Sequence, residues 1–216
     1  MARGPRLFIP GLTQHVVQRG NNRTEIFRSA GDHEVFLYIT HEAALGHRLE
    51  IHAYALMPNH VHFLVTAPAA SALPAAMQAI GRRYVPHFNQ RYGRTGGLFE
   101  GRYRSVLVDE ESYWVNCMRY IELNPVRAGL VDTPEAYRWT SYRAHAMEAP
   151  DVLLTDHPMY LRLGETPAER SNNWRAFCAQ GILDSELAEL RDAVQKGRLL
   201  RGIVLPPSAP PSCDQP

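Results

Sequence analysis

Short stretches with alternating apolar and polar residues are interleaved with longer ones in which apolar residues return every three or four positions. The first stretch predicts a strand over residues 15–19, closed by the turn residues Gly20, Asn21 and Asn22. From Asp32, which reads as an N-cap, the series Val35, Phe36, Ile39 and Ala43 predicts a helix to about Gly46. Residues 49–57 are apolar on both faces, as expected of a central strand. After a tight turn at Pro58 and Asn59, a third strand over 60–66 puts Val61, Phe63 and Val65 on one face and His60, His62 and Leu64 on the other.

A second helix is expected over 72–92, kinked where Pro86 removes a backbone donor, followed by a glycine-rich loop and a strand over 103–108. Acidic residues then open a third helix, 112–124, which Pro125 ends. The order βαββαβ plus one helix is that of an α+β, ferredoxin-like fold: an antiparallel four-stranded sheet with two helices on one face and the other face free for a site. The extra helix carries Tyr120. Helices near 167–179 and 184–197 suggest a small helical extension, and the proline-rich end is expected to be disordered. The expected division is a main domain over 1–148, the extension over 149–204 and a tail over 205–216.

Composition narrows the class. With 45% hydrophobic and 21% charged residues and no long apolar run, the chain reads as soluble, without a membrane span or a secretory leader. Three cysteines without a C-x-x-C spacing suggest neither a disulfide framework nor a zinc knuckle, which fits the reducing cytoplasm. The net charge of +1 hides an asymmetry: residues 1–108 hold 12 arginines against 6 acids, and the remainder holds 11 basic against 16 acidic residues. Arginine suits phosphate, so Arg82, Arg83, Arg91, Arg94, Arg102 and Arg104 become candidate DNA contacts, with Arg19 and Arg23 in the first turn as weaker ones. A merely solvated surface would carry the same charges.

Two motifs carry chemistry. Histidines two apart on a strand, His60 and His62, point to one side about 7 Å apart at Cα and can converge on one cation. Val61, Phe63 and Val65 already supply that strand's core face, so packing does not require the histidines. Tyr120 and Asn124 stand at i and i+4 and share a helix face. Alone, such a pair is usually a packing tyrosine and a helix stop. Together with the histidines it makes a machine: a phenol is a poor acid, and a bound cation helps it attack a phosphodiester. Two imidazoles and an amide oxygen leave positions open, which suits Mg²⁺ or Mn²⁺.

The segments from Val17 to Arg23, Ile51 to His62, Leu98 to Tyr103, Tyr120 to Val131 and Trp139 to Tyr142 resemble the REP-associated tyrosine transposases, within the single-tyrosine HUH transposases. The resemblance spans about residues 5–145. It implies a nuclease domain with His60, His62 and Asn124 as metal ligands and Tyr120 as nucleophile. The implied reaction cuts and rejoins single-stranded DNA near hairpins of repetitive palindromes, giving a 5′-phosphotyrosine and a free 3′-OH. Related transposases often carry Gln where Asn124 stands. The implied partner is single-stranded or hairpin DNA, and a monomer is the expected state. Two other readings compete: a hydrolytic zinc barrel, for which the chain is too short, and a DNA-hairpin-binding regulator that has lost nicking.

Overall fold

The computed structural model describes residues 8–108 and 111–182, together with 188 and 192. The expected helix at 184–197 and the tail at 205–216 lie outside the described residues, apart from those two positions. In chain order the elements are β1 (Thr13–Arg19), α1 (Ala30–His47), β2 (Glu50–Met57), β3 (His60–Thr66), α2 (Ala72–Tyr92), β4 (Arg104–Val108) and α3 (Glu111–Glu122). There follow the short α4 (Asn124–Arg127), α5 (Tyr142–Met147) and α6 (Pro158–Leu161), then α7 (Pro167–Ala179). The sheet order is β2-β3-β1-β4, and every neighbouring pair is antiparallel. This is the expected ferredoxin-like arrangement.

Local chemistry explains the boundaries, and in two places, at Asp32 and at Pro125, it differs from the pattern-based expectation. Asp32 is not the N-cap of α1. Ser29 caps the helix and accepts from the Asp32 amide, while Asp32, one turn in, reaches back to the Ser29 and Arg28 amides. Helix α2 has the expected bounds, with Pro86 inside it and one backbone bond fewer. The third helix does not stop at Pro125: the chain turns at Leu123, and Asn124 opens α4 with Pro125 in its first turn, where a missing N–H is harmless. After β1, Gly20 is required by space, because a Cβ there would run into the Thr24 carbonyl oxygen.

The sheet separates two cores. On one face Val16, Leu56, Val61, Phe63 and Val65 pack against Phe36 and Ile39 of α1 and Ile80, Tyr84 and Phe88 of α2. The other face is not left open, as the element order alone suggested. Ala53, Ala55, Leu64, Val106 and Val108 lie under Trp114, Met118 and Ile121 of α3, and under Tyr142, Tyr160 and Trp174 of the later helices. The apolar side of α3 must leave water, and small alanines on β2 give it room to approach. What stays accessible is one end of this face: Arg19 and Arg104 are exposed and His60 is half-buried.

The roof is pinned by a buried carboxylate. Glu122, fully buried at the end of α3, accepts from Ser141, from Nδ1 of His145 at 2.6 Å and from Nε1 of Trp174 at 2.7 Å. Three donors from the later helices satisfy a charge that would otherwise be costly to bury. Residues 141–174 thereby hold the end of the helix that bears Tyr120.

Candidate active site

Strand register assembles the site. On β1, Val17 lies opposite His62 and Arg19 opposite His60; on β4, Arg104 lies opposite Val17. Alternation then puts His15, Arg19, His60, His62 and Arg104 on the face roofed by α3. The rings of His60 and His62 are 4.8 Å apart, and the Tyr120 ring stands edge-on to His62 at 5.8 Å and to His15 at 5.9 Å. The other tyrosine of α3, Tyr113, stands two helical turns earlier.

Hydrogen bonds fix which histidine nitrogens are committed and which are left. Asn59 donates its amide to the Arg23 carbonyl, so its Oδ1 is the atom that meets Nδ1 of His60 at 2.6 Å. A carbonyl only accepts, so Nδ1 of His60 carries the proton and Nε2 keeps a free lone pair. Nδ1 of His62 pairs with Nε2 of His15 at 2.9 Å, and Nε2 of His62 is buried with no hydrogen-bond partner. Burial, and next to it Arg19, lowers the pKa of His60 to about 4. Burial and the neighbouring His60 lower His15 to about 3 and hold His62 well below its ordinary value. All three rings are neutral at pH 7, as metal ligation requires.

Asn124, also buried, donates Nδ2 to the Tyr120 carbonyl at 2.9 Å, which commits its nitrogen and turns Oδ1 into the available acceptor. The guanidinium of Arg127 lies 4.8 Å over the Tyr120 ring. The Tyr120 side chain is 8% exposed.

The orphaned Nε2 of His62 and the lone pair of Nε2 on His60 are the kind of neutral nitrogen donors that suit a divalent cation, and an Asn124 oxygen is of the right chemistry to join them. It is a neutral set: among the described residues no group of three His, Cys, Asp or Glu could hold a metal ion. An anionic oxygen from a bound phosphate would complete it.

The eight candidate arginines are not brought together. Arg19 and Arg104 flank the histidine pair. Arg82 and Arg102 line a cleft round the end of the sheet. Arg83 lies over Tyr38, Arg91 is 3.6 Å from Asp32, and Arg94 lies over Phe88, all in the helical layer. Arg23 contributes its carbonyl to the Asn59 link. Sequence reasoning did not bring His15, Asn59 or Arg127 to the histidine–tyrosine site, where the structure puts them in contact with His62, His60 and Tyr120. The strand parity of His15 with Arg19 was the available signal for the first.

The sequence matches the family model described as "Transposase IS200 like" over residues 9–124, which reaches from β1 through Tyr120 to Asn124. The fold and this match define a transposase, and the chain belongs to the IS200-like transposase family. Its fold is similar to that of a REP-associated tyrosine transposase bound to a REP hairpin, with TM-score 0.55 and 18% identity over 74% of this chain and 96% of that one. A structure from Deinococcus radiodurans R1 assigned as a transposase aligns with TM-score 0.39 and 25% identity over 56% of this chain and 96% of that one. No curated protein matches. No helix among the described residues is long and apolar enough to cross a membrane.

Proposed function

We propose that this transposase nicks and rejoins single-stranded DNA beside a hairpin, with Tyr120 as the nucleophile. The observation that carries the reading is that the Tyr120 ring stands edge-on to His62, that His62 stands beside His60, and that Nε2 of His62 is buried without a hydrogen-bond partner. His60, His62 and Asn124 would hold Mg²⁺ or Mn²⁺. When bound, the cation draws charge from the phosphoryl oxygens and from the leaving 3′-oxygen.

The chain's own groups do the rest. The Tyr120 oxygen forms a bond to phosphorus as the bond to the 3′-oxygen breaks; the phenolic proton leaves, and a proton ends on the 3′-oxygen. The product is a 5′-phosphotyrosine and a free 3′-OH, and the reverse attack rejoins the strand without ATP. The Arg127 guanidinium favours the negative charge that develops on the phenol beneath it. Arg19 and Arg104 stand where the flanking phosphates of a strand lying across the site would run. The similar fold that binds a REP hairpin supports hairpin DNA as the substrate class.

A hairpin oligonucleotide with single-stranded flanks tests this. Purified protein with Mg²⁺ should release a fragment whose 3′ end a polymerase extends, and EDTA should stop the cut. Tight hairpin binding without any cut in Mg²⁺ or Mn²⁺ would replace the enzyme by a DNA-binding regulator.

A further inference from the structure

Round the end of the sheet from the histidine pair lies a cleft of 590 Å³, walled by Gln18, Met77, Arg82, Phe99, Arg102 and Tyr103 among others. We propose that it receives one unpaired nucleotide of the DNA substrate, the base lying against Phe99 and Met77 and its phosphate held between Arg82 and Arg102. The inference rests on the DNA-processing reading above and adds a second subsite to it.

The cleft lies within the size range of small-molecule sites. Its character is mixed in the way a nucleotide is mixed. Phe99 and Met77 are only partly buried against the core and present apolar surface, while Arg82 and Arg102 are exposed. Neither guanidinium has an ion-pair, hydrogen-bond or ring partner among the described residues, unlike Arg83, Arg91 and Arg94. At the inner end Gln18, 6% exposed, donates Nε2 to the Gly101 carbonyl at 3.4 Å. That contact leaves its Oε1 to accept from a base edge. Two cations call for an anion, a flat apolar wall for a ring, and a recessed amide for a polar edge; a nucleotide supplies all three.

The wall is fixed before anything binds. Residues 98–100 are tied to the end of β1 by the Asn21 amide on the Leu98 carbonyl at 2.8 Å and the Glu100 amide on the Arg19 carbonyl at 2.8 Å. The position is right for a continuing strand. Gln18 precedes Arg19, which faces His60, and Arg102 leads through Tyr103 into Arg104 on the site face. A strand leaving the histidine pair past Arg19 and Arg104 would meet this cleft at their chain neighbours Gln18 and Arg102.

The test uses the full chain and a hairpin whose unpaired flanking positions are replaced one at a time by an abasic nucleotide. One position should weaken binding about ten-fold when its base is removed, the size of a lost base–aromatic contact. At that position 2-aminopurine should change fluorescence on binding. In Phe99→Ala the abasic penalty should vanish. The exposed pair Arg82→Gln and Arg102→Gln should together lower the slope of log affinity against log salt by about 1.4. Because Phe99 also touches the core, the abasic series with unaltered protein stands on its own. If every unpaired position tolerates loss of its base while the hairpin still binds tightly, the cleft proposal is overturned and the DNA reading survives. Failure to bind any hairpin overturns both.

Discussion

Nε2 of His15 lies 2.9 Å from Nδ1 of His62, and both rings are buried. If His62 is to present Nε2 to a cation, its Nδ1 must carry the proton and donate it to His15. His15 is thus placed to set the tautomer and the ring orientation of the inner ligand. Replacing His15 by Leu is expected to lower Mn²⁺ affinity 10- to 100-fold in calorimetric titrations with the DNA present, and His15→Gln, which restores an acceptor, should recover part of it. Equal affinity in all three proteins would reduce His15 to packing.

The neutral ligand set makes a linked prediction. With no carboxylate among the described residues completing a metal group there, the phosphate must supply the anionic oxygen, so Mn²⁺ and DNA should each raise the other's affinity by the same factor. Titrating Mn²⁺ into free and hairpin-bound Tyr120→Phe protein measures this. Identical Mn²⁺ affinity in both would mean that the phosphate does not complete the site.

Buried neutral histidines also set the response to acid. The unfolded chain protonates histidine near pH 6.5, whereas folded His15 does so only near 3 and folded His60 near 4. A depressed folded pKa means that the unfolded state gains protons first. Stability of the metal-free protein should therefore be complete above pH 6.5 and fall steadily as pH drops from there toward 4. A flat urea midpoint across that window would contradict the assigned burial.

Glu122 offers a test of the roof. Glu122→Ala strands donors from Ser141, His145 and Trp174 in a buried site. The expected cost is about 3–5 kcal/mol in urea unfolding, with Glu122→Gln milder because it keeps an acceptor. A change within about 0.5 kcal/mol for the alanine would mean that the later helices hold α3 by apolar contact alone.

The four strands, their order along the chain and the two-helix layer were legible because the strands read as alternating runs or, for β2, as a run apolar on both faces, and each long helix carries its own stripe. His60 with His62 was legible as a pair because a spacing of two is local strand geometry; Tyr120 and Asn124 stand on successive helices across the turn at Leu123, tied by the Asn124 amide on the Tyr120 carbonyl rather than by one shared helix face. His15 was not legible, because its partner lies 47 residues away and the register that joins β1 to β3 is written in neither strand alone. The roof was hidden for a related reason. Glu122 reads as a solvated helix residue until His145 and Trp174, from separate helices, supply its donors. Even Asp32 misled by one turn, since an acidic N3 residue and an acidic N-cap look alike without the Ser29 bond. Nor could clustered arginine numbers separate Arg91, tied to Asp32, from Arg104 on the opposite face.

The central claim is that Tyr120 attacks the DNA backbone. Protein, Mn²⁺ and a labelled hairpin with single-stranded flanks are resolved on a denaturing gel, and the peptide carrying the nucleotide is sequenced by mass spectrometry. Unaltered protein and Tyr113→Phe should both form an adduct that maps to Tyr120, while Tyr120→Phe should form none and still bind the hairpin. An adduct formed by Tyr120→Phe but not by Tyr113→Phe would contradict the account.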